Sequence, residues 1–177
     1  KAAAQGYPTI VMPGQYFYFD MKQSSREAGH DWAAIFDWRK VYNFSLSSEG
    51  FTSAEQQNIV GFEASFFSEA YASHNPESAD FLHYQTFPRM VAFAEIAWRD
   101  GVRDEQKFYR NMVAHYSRMD AMGVAYRLMP PSVSYADGVL SAKVDDESDI
   151  YYRREPMATE MLYVGPITTN SPGEYSF

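Results

Sequence analysis

Two short apolar runs constrain this chain more than any other feature: Thr9-Ile10-Val11-Met12 and the stretch "NIVGFEASFF" at residues 58–67. A strand that is apolar without alternation belongs inside a parallel sheet with helices on its faces. Each run leads through a loop into residues at helical spacing, the order of an α/β unit. The spacing predicts a buried strand over 9–12, ended by Pro13-Gly14, and a second strand over 58–67. Residues 21–57 read as mostly irregular, with one short helix near Asp31 to Phe36 and a polar loop at "SLSSEGFTSAEQQ".

Helices follow. "SADFLHYQTFPRMVAFAEIAW" sets Phe81, Tyr84, Phe87, Val91, Ala94 and Trp98 on a helical stripe, with Ser78 or Asp80 as candidate caps. Pro88 lies inside that pattern and predicts a kink or a split. "RDEQKFYRNMVAHYSRMDAMG" gathers Phe108, Met112, His115 or Tyr116, Met119 and Met122 on one side, with Asp104 at its start and Gly123 past its end. Pro130-Pro131 closes the helical part. Beyond it Asp137-Gly138 predicts a hairpin, and "SDIYYRR" and "TEMLYVGPI" predict two further strands. The expected division is an α/β region over 1–131 and a small β-rich tail over 132–177.

Composition narrows the class. The chain of 177 residues is 46% hydrophobic and 21% charged, which excludes disorder by composition. A net charge of -8 without an offsetting basic cluster argues against nucleic acid and anionic membranes. No cysteine is present, so disulfides and thiolate metal sites are excluded. No apolar stretch reaches transmembrane length. The opening "KAAAQGYPTIVM" carries one Lys and no long apolar core, so it reads as the interior of an α/β unit rather than a leader. The 14 Tyr and 13 Phe suit a partly wet, partly apolar cleft such as sugars use, and equally a large core.

Chemistry in such folds sits at the C-terminal ends of the strands. Tyr16, Tyr18 and Asp20 crowd just past the first run, and Glu69 just past the second. Counting back by twos from Glu69 puts Phe67, Ser65, Glu63 and Gly61 on one face, with Phe66, Ala64, Phe62 and Val60 on the other, under helices. An aromatic ring and a carboxylate then address one space. That pair matches a pyranose, whose C–H face packs on a ring and whose hydroxyls donate to carboxylate oxygens. By itself a Phe and a Glu at a strand end is more often structural. The four histidines show no metal-ligand spacing, and Trp32, Phe36 and Trp38 read as packing.

Taken together and in order, four stretches resemble the C-terminal part of the catalytic domain of family 20 glycoside hydrolases, the β-N-acetylhexosaminidases. "IVMPGQYFYFD" is similar to the family's strand-seven segment ending in Tyr-x-Asp, and "GFEASFFSE" to its strand-eight segment Gly-Val-Gln-Ala-x-Leu-Trp-x-Glu. "FPRMVAFAEIAW" is similar to the helix with Pro-Arg and Ala-Glu-x-x-Trp, and "MDAMGVAYRLMPP" to the closing helix and its exit. The match covers residues 7–131. The tail resembles the small β-domain of many bacterial members, keeping Glu155-Pro156 and Tyr163-x-Gly165-Pro166 but not its Asp-Gly-Ser.

The resemblance implies an α/β fold: a partial (β/α)8 TIM barrel, its last two strands and helices, followed by the small β-rich tail. It implies retaining hydrolysis of terminal β-linked N-acetylglucosamine or N-acetylgalactosamine, with the substrate's acetamido oxygen as nucleophile and no cofactor or metal. Tyr18 would donate to that oxygen, Asp20 and Glu69 would hold sugar hydroxyls, and Phe67 would form a wall where the family has Trp. Glu63 stands for the family's Gln; buried and unpaired, its carboxyl would have a raised pKa or a nearby cation.

The family's acid/base pair, an Asp-Glu in a His-x-Gly-Gly-Asp-Glu context, has no counterpart here. Asp104-Glu105 opens a helix and Asp145-Asp146-Glu147 lies in the tail. The expectation is a C-terminal piece of a larger enzyme, inactive alone, whose partners are an N-acetylhexosamine-terminated glycan and the N-terminal part of the barrel. The resemblance favours a bacterial periplasmic or extracellular setting. The alternatives are a non-catalytic carbohydrate-binding or interaction module, and Asp20 with Glu69 as a retaining pair, carboxyls roughly 5 Å apart.

Overall fold

The structure is a computed structural model describing residues 1–72, 79–99, 102–144, 148–156, 159–169 and 173–177. His74, Ser78 and Asp145-Asp146-Glu147 lie outside the described residues. Two compact units result, Lys1–Arg127 and Leu128–Phe177.

In the first unit, β1 (Thr9–Val11) pairs in parallel with β2 (Ile59–Phe62). Among the described residues the sheet has these two strands alone, and the expected burial of 9–12 does not occur: Ile10 is 59% and Val60 65% exposed. β2 is also shorter than expected. Beyond Phe62 the Glu63 N–H still donates to Val11 O at 3.1 Å, and Ser65 pairs as a parallel bridge to Tyr18.

The core lies between the β1–β2 connection and the helices. After the single turn α1 (Gly14–Phe17), Phe17 is fully buried against Phe44 at 4.8 Å, Phe93 at 5.1 Å and Phe62 at 6.1 Å between ring centroids. Each such buried ring contributes roughly 2–3 kcal/mol by area. The helix expected near Asp31 to Phe36 forms later, as α2 (Trp38–Tyr42), because Asp37 caps it by accepting from the Arg39 N–H at 2.8 Å. Inside the expected polar loop, Thr52 and Glu55 form a capping box that starts α3 (Ser53–Gln56). α4 (Ser68–Ala72) follows β2.

Pro88 splits the long helical pattern into α5 (Asp80–Thr86) and α6 (Arg89–Trp98). The buried residues of α6 are Arg89, Ala92 and Ile96, not the expected stripe, and Trp98 is 91% exposed. α7 (Glu105–Ala121) buries Phe108, Met112, Tyr116 and Met119 as its spacing requires; Met122, past its end, is exposed. Asp104 caps it by accepting from the Lys107 N–H at 2.9 Å, and Gly123 leaves it in the left-handed region at φ 65°. Phe108 stacks on Tyr42 at 4.6 Å, joining α7 to α2.

A charge clamp closes this unit. The buried Arg127 holds Glu27 through Nε at 2.9 Å and Nη2 at 2.7 Å, and the Tyr84 hydroxyl donates to the same carboxylate at 3.0 Å. Burial alone would raise the Glu27 pKa, but the Arg127 and Ser24 hydrogen bonds and the Arg127 charge outweigh it, holding the carboxyl below its ordinary 4.5. Burial and the Glu27 charge push the Tyr84 phenol up to about 12. A carboxyl whose folded pKa lies below its unfolded one adds stability that is complete above the ordinary pKa and lost as pH falls through the folded value. The urea midpoint is therefore expected to drop as pH falls below 4.5. Glu27→Gln is expected to cost about 2 kcal/mol at pH 7 and to remove that part of the acid dependence. An unchanged midpoint at pH 7 would contradict the clamp.

In the second unit, Asp137 (φ 51°) and Gly138 (φ 78°) turn β3 (Ser132–Ala136) into β4 (Val139–Lys143), the expected hairpin. β5 (Tyr151–Arg154), β6 (Met161–Leu162), β7 (Ile167–Thr168) and β8 (Tyr175–Ser176) complete two sheets, ordered β3-β4-β7 and β6-β5-β8 and antiparallel throughout. β8 had no sequence signal. None of the described helices is long and apolar enough to cross a membrane.

Candidate active site

The site grows from the exit of β1. Gly14 is required there because a Cβ would meet the Tyr18 ring at 2.9 Å. Past α1 the chain extends and pairs with Ser65, the Phe19 N–H donating to Ser65 O at 2.7 Å and the Ser65 N–H to Phe17 O at 3.0 Å. Alternation then turns Phe17 and Phe19 into the core, both buried, and Tyr18 to the other side. The half-buried Tyr18 ring meets Phe67 edge-on at 5.1 Å and Trp32 at 5.7 Å. Its hydroxyl has no hydrogen-bond partner among the described residues. Tyr16 differs: its hydroxyl donates to Glu49 at 2.7 Å, and that bond, with burial and the Glu49 charge, raises its pKa.

Trp32, read from sequence as packing, is 66% exposed beside Tyr18, whereas Phe36 and Trp38 are buried as expected. Phe67 is 41% exposed, so Tyr18, Trp32 and Phe67 form one partly open aromatic wall. No spacing rule links Trp32 to Tyr18; the loop between them brings it there.

The carboxylates part company. A turn closed by the Met21 N–H on Tyr18 O at 3.1 Å interrupts the alternation, and Asp20 goes inward instead of lying beside Tyr18. Its side chain is 0% exposed, with Oδ2 3.1 Å from His30 Nδ1 and Oδ1 without a partner. Glu69 lies in the first turn of α4, exposed, so the count by twos from a strand does not apply to it. Glu63 is exposed as well, and its carboxylate is solvated rather than buried.

Arg89 fixes the backbone of this region. Its fully buried guanidinium donates to Met21 O at 3.0 Å, Phe19 O at 2.6 Å, Phe36 O at 3.4 Å and Gln85 Oε1 at 2.9 Å. Two of these carbonyls flank Asp20. Burial and the Arg127 charge bring its pKa down to about 9, against the pull of Asp20, Glu27 and Asp37, so it stays charged at neutral pH.

The wall can stack a flat C–H face and offer one phenolic donor. An acid/base pair is not part of it. Asp104 caps α7, and Glu105 accepts from Asn43 at 2.8 Å and faces Arg39 at 3.6 Å. No group of three potential metal ligands occurs among the described residues.

Comparison with known proteins places this architecture. Residues 1–101 match the model of the glycosyl hydrolase family 20 catalytic domain. A beta-hexosaminidase of Vibrio vulnificus is 24% identical over 137 residues, 67% of this chain and 15% of that protein. An N,N'-diacetylchitobiase of Vibrio harveyi is 24% identical over 184 residues, 79% of this chain and 20% of that protein. The chain thus spans about a fifth or less of the curated relatives it matches. The exo beta-N-acetylglucosaminidase structure from Vibrio harveyi, in complex with N-acetylglucosamine, superposes with a TM-score of 0.61 at 29% identity, over 71% of this chain and 20% of that one. The beta-N-acetylhexosaminidase from Streptomyces coelicolor A3(2) gives 0.64 at 25% identity, over 73% and 25%. The partial α/β barrel with its β-rich tail, and the family model over more than half its residues, make this chain a member of glycoside hydrolase family 20.

Proposed function

We propose that this chain supplies the acetamide-facing and hydroxyl-facing side of a β-N-acetylhexosaminidase site, and that the acid/base pair comes from outside these residues. The observation that carries this reading is the wall of Tyr18, Trp32 and Phe67, whose central phenol has no hydrogen-bond partner among the described residues. The acetamido oxygen of a bound sugar attacks the anomeric carbon, the glycosidic C–O bond breaks, and the departing oxygen takes a proton from the external acid. Water then opens the oxazolinium ion with net retention. The Tyr18 hydroxyl donates to the acetamido oxygen, aligning it for attack and stabilising the ion. Phe67 and Trp32 stack on the sugar and acetamide. Glu69 accepts from a hydroxyl in solvent. Asp20 accepts through Oδ1, which a hydroxyl reaches only after local opening. The reading of Asp20 and Glu69 as a retaining pair is less well supported, since Asp20 is buried and Glu69 exposed.

The remaining units of a barrel are the proposed partner. Among the described residues the β1–β2 sheet has two strands, each with one unpaired edge, and Ile10 and Val60 on the strands, Trp98 at the end of α6 and Val102 ahead of α7 leave apolar surface exposed.

Titration of N-acetylglucosamine into the 15N-labelled chain is expected to shift signals of Tyr18, Trp32, Phe67 and Glu69. Tyr18→Phe is expected to weaken that binding about fivefold, the value of one hydrogen bond, and to leave glucose binding unchanged. Wild-type chain that binds glucose as well as N-acetylglucosamine would refute the acetamide role. Turnover of an aryl β-N-acetylglucosaminide by the 177-residue chain alone would put the acid inside it. A non-catalytic module would bind the sugar but never gain turnover when the rest of a barrel is supplied.

A further inference from the structure

His30 sits against the one buried carboxylate of this region in a way the proposed chemistry does not yet use. Three backbone features lock it to the segment carrying Asp20. Its N–H donates to Asp20 O at 2.8 Å, its carbonyl accepts from the Lys22 N–H at 2.7 Å, and Gly29 brings the two segments too close for any side chain between them. The imidazole Nδ1 then lies 3.1 Å from Asp20 Oδ2. An ionised carboxylate only accepts, so the contact is a hydrogen bond when Nδ1 carries the proton. Among the described residues no other side chain donates to Asp20: Oδ1 is buried and has no partner there. Arg89 contributes charge and holds the flanking carbonyls but does not reach the carboxyl.

The asymmetry has a physical meaning. A buried acceptor without a donor costs roughly 1–3 kcal/mol, which a purely structural Asp has no reason to retain. A carboxylate with one oxygen tied and one vacant is arranged to receive a single hydroxyl in one orientation.

We infer that His30 is a positioning residue: it ties Asp20 Oδ2 and so presents Oδ1 to one hydroxyl of the bound sugar. The inference rests on the sugar-binding reading above. It assigns His30 no contact with substrate.

The test uses the full chain, 15N-histidine spectra and titration with N-acetylglucosamine. Wild type is expected to show His30 as the Nδ1–H tautomer, and Asp20→Asn to change the His30 signals. His30→Ala, with near-UV circular dichroism unchanged, is expected to weaken sugar binding about tenfold. His30→Asn, whose amide can donate from nearly the same place, is expected to stay within about twofold. A wild-type Nε2–H tautomer, or His30→Ala binding as wild type does, overturns the inference and leaves the sugar-binding reading standing. Wild type that binds no N-acetylglucosamine withdraws both. If His30→Ala loses its near-UV signal, His30→Asn decides alone: retained affinity supports the role, and a tenfold loss in a folded protein rejects it.

Discussion

Arg89→Ala is expected to leave the first unit without a cooperative fold. The guanidinium serves carbonyls of Phe19, Met21, Phe36 and Gln85, plus the Gln85 side chain, from a position with no solvent exposure. Its plane also lies against the rings of Phe36 at 4.9 Å and Phe19 at 5.1 Å. Alanine removes every donor at once and leaves a cavity between these groups. Each orphaned buried acceptor costs about 1–3 kcal/mol, and the cavity adds to that. The sum, on the order of 5 kcal/mol or more, equals the whole stability of many domains. Lysine is expected to rescue only part, since one ammonium cannot span carbonyls that a planar fork reaches together. Near-UV circular dichroism and thermal melting decide the matter. A variant melting within about 5 °C of wild type would show that the carbonyls find other donors.

Gly29→Ala is expected to be the next most damaging change, at roughly 3 kcal/mol. Gly29 has φ +128°, a region that a side chain strains by about 1–3 kcal/mol. Its new Cβ would also meet Gln85 Nε2 at 2.7 Å, Asp20 O at 2.9 Å and Lys22 N at 3.0 Å. The amide can swing aside only by giving up its bond to Ala28 O at 2.6 Å. The other two atoms are backbone already bonded to His30, so relief means breaking that bridge. The urea midpoint should fall, and the amide protons of Lys22 and His30 should lose protection first. Loss of stability with those two amides still protected would place the strain elsewhere.

Both changes act on the backbone around residues 19–36, most of which reads as irregular in the sequence. The parallel strands, the split at Pro88, the face of α7 and the hairpin at Asp137-Gly138 were legible because each depends on neighbours within a few residues: apolar spacing, a missing N–H, a turn that needs positive φ. The capping box at Thr52 and Glu55 is equally local, though it lies in a stretch whose polar composition reads as loop. The buried face of α6 was not legible. A helix wheel places Arg at the surface, and nothing near Arg89 in sequence reveals that carbonyls 53 to 70 positions earlier will satisfy it.

The candidate site divides the same way. Residue order by itself placed Tyr18 and Phe67 in the segments that leave two parallel strands, because a parallel pair of short strands joined through a long connection puts both exits on one side. It also determined the family resemblance, which rests on four motifs in sequence. Only the tertiary structure decided that Trp32 joins the wall, that Asp20 turns inward to His30, and that Glu69 rides on a helix in solvent. The reason is physical. A strand's alternation is set by its own backbone, whereas the path of a loop is set by the distant groups that satisfy its hydrogen bonds, here Arg89, Gln85 and Arg127.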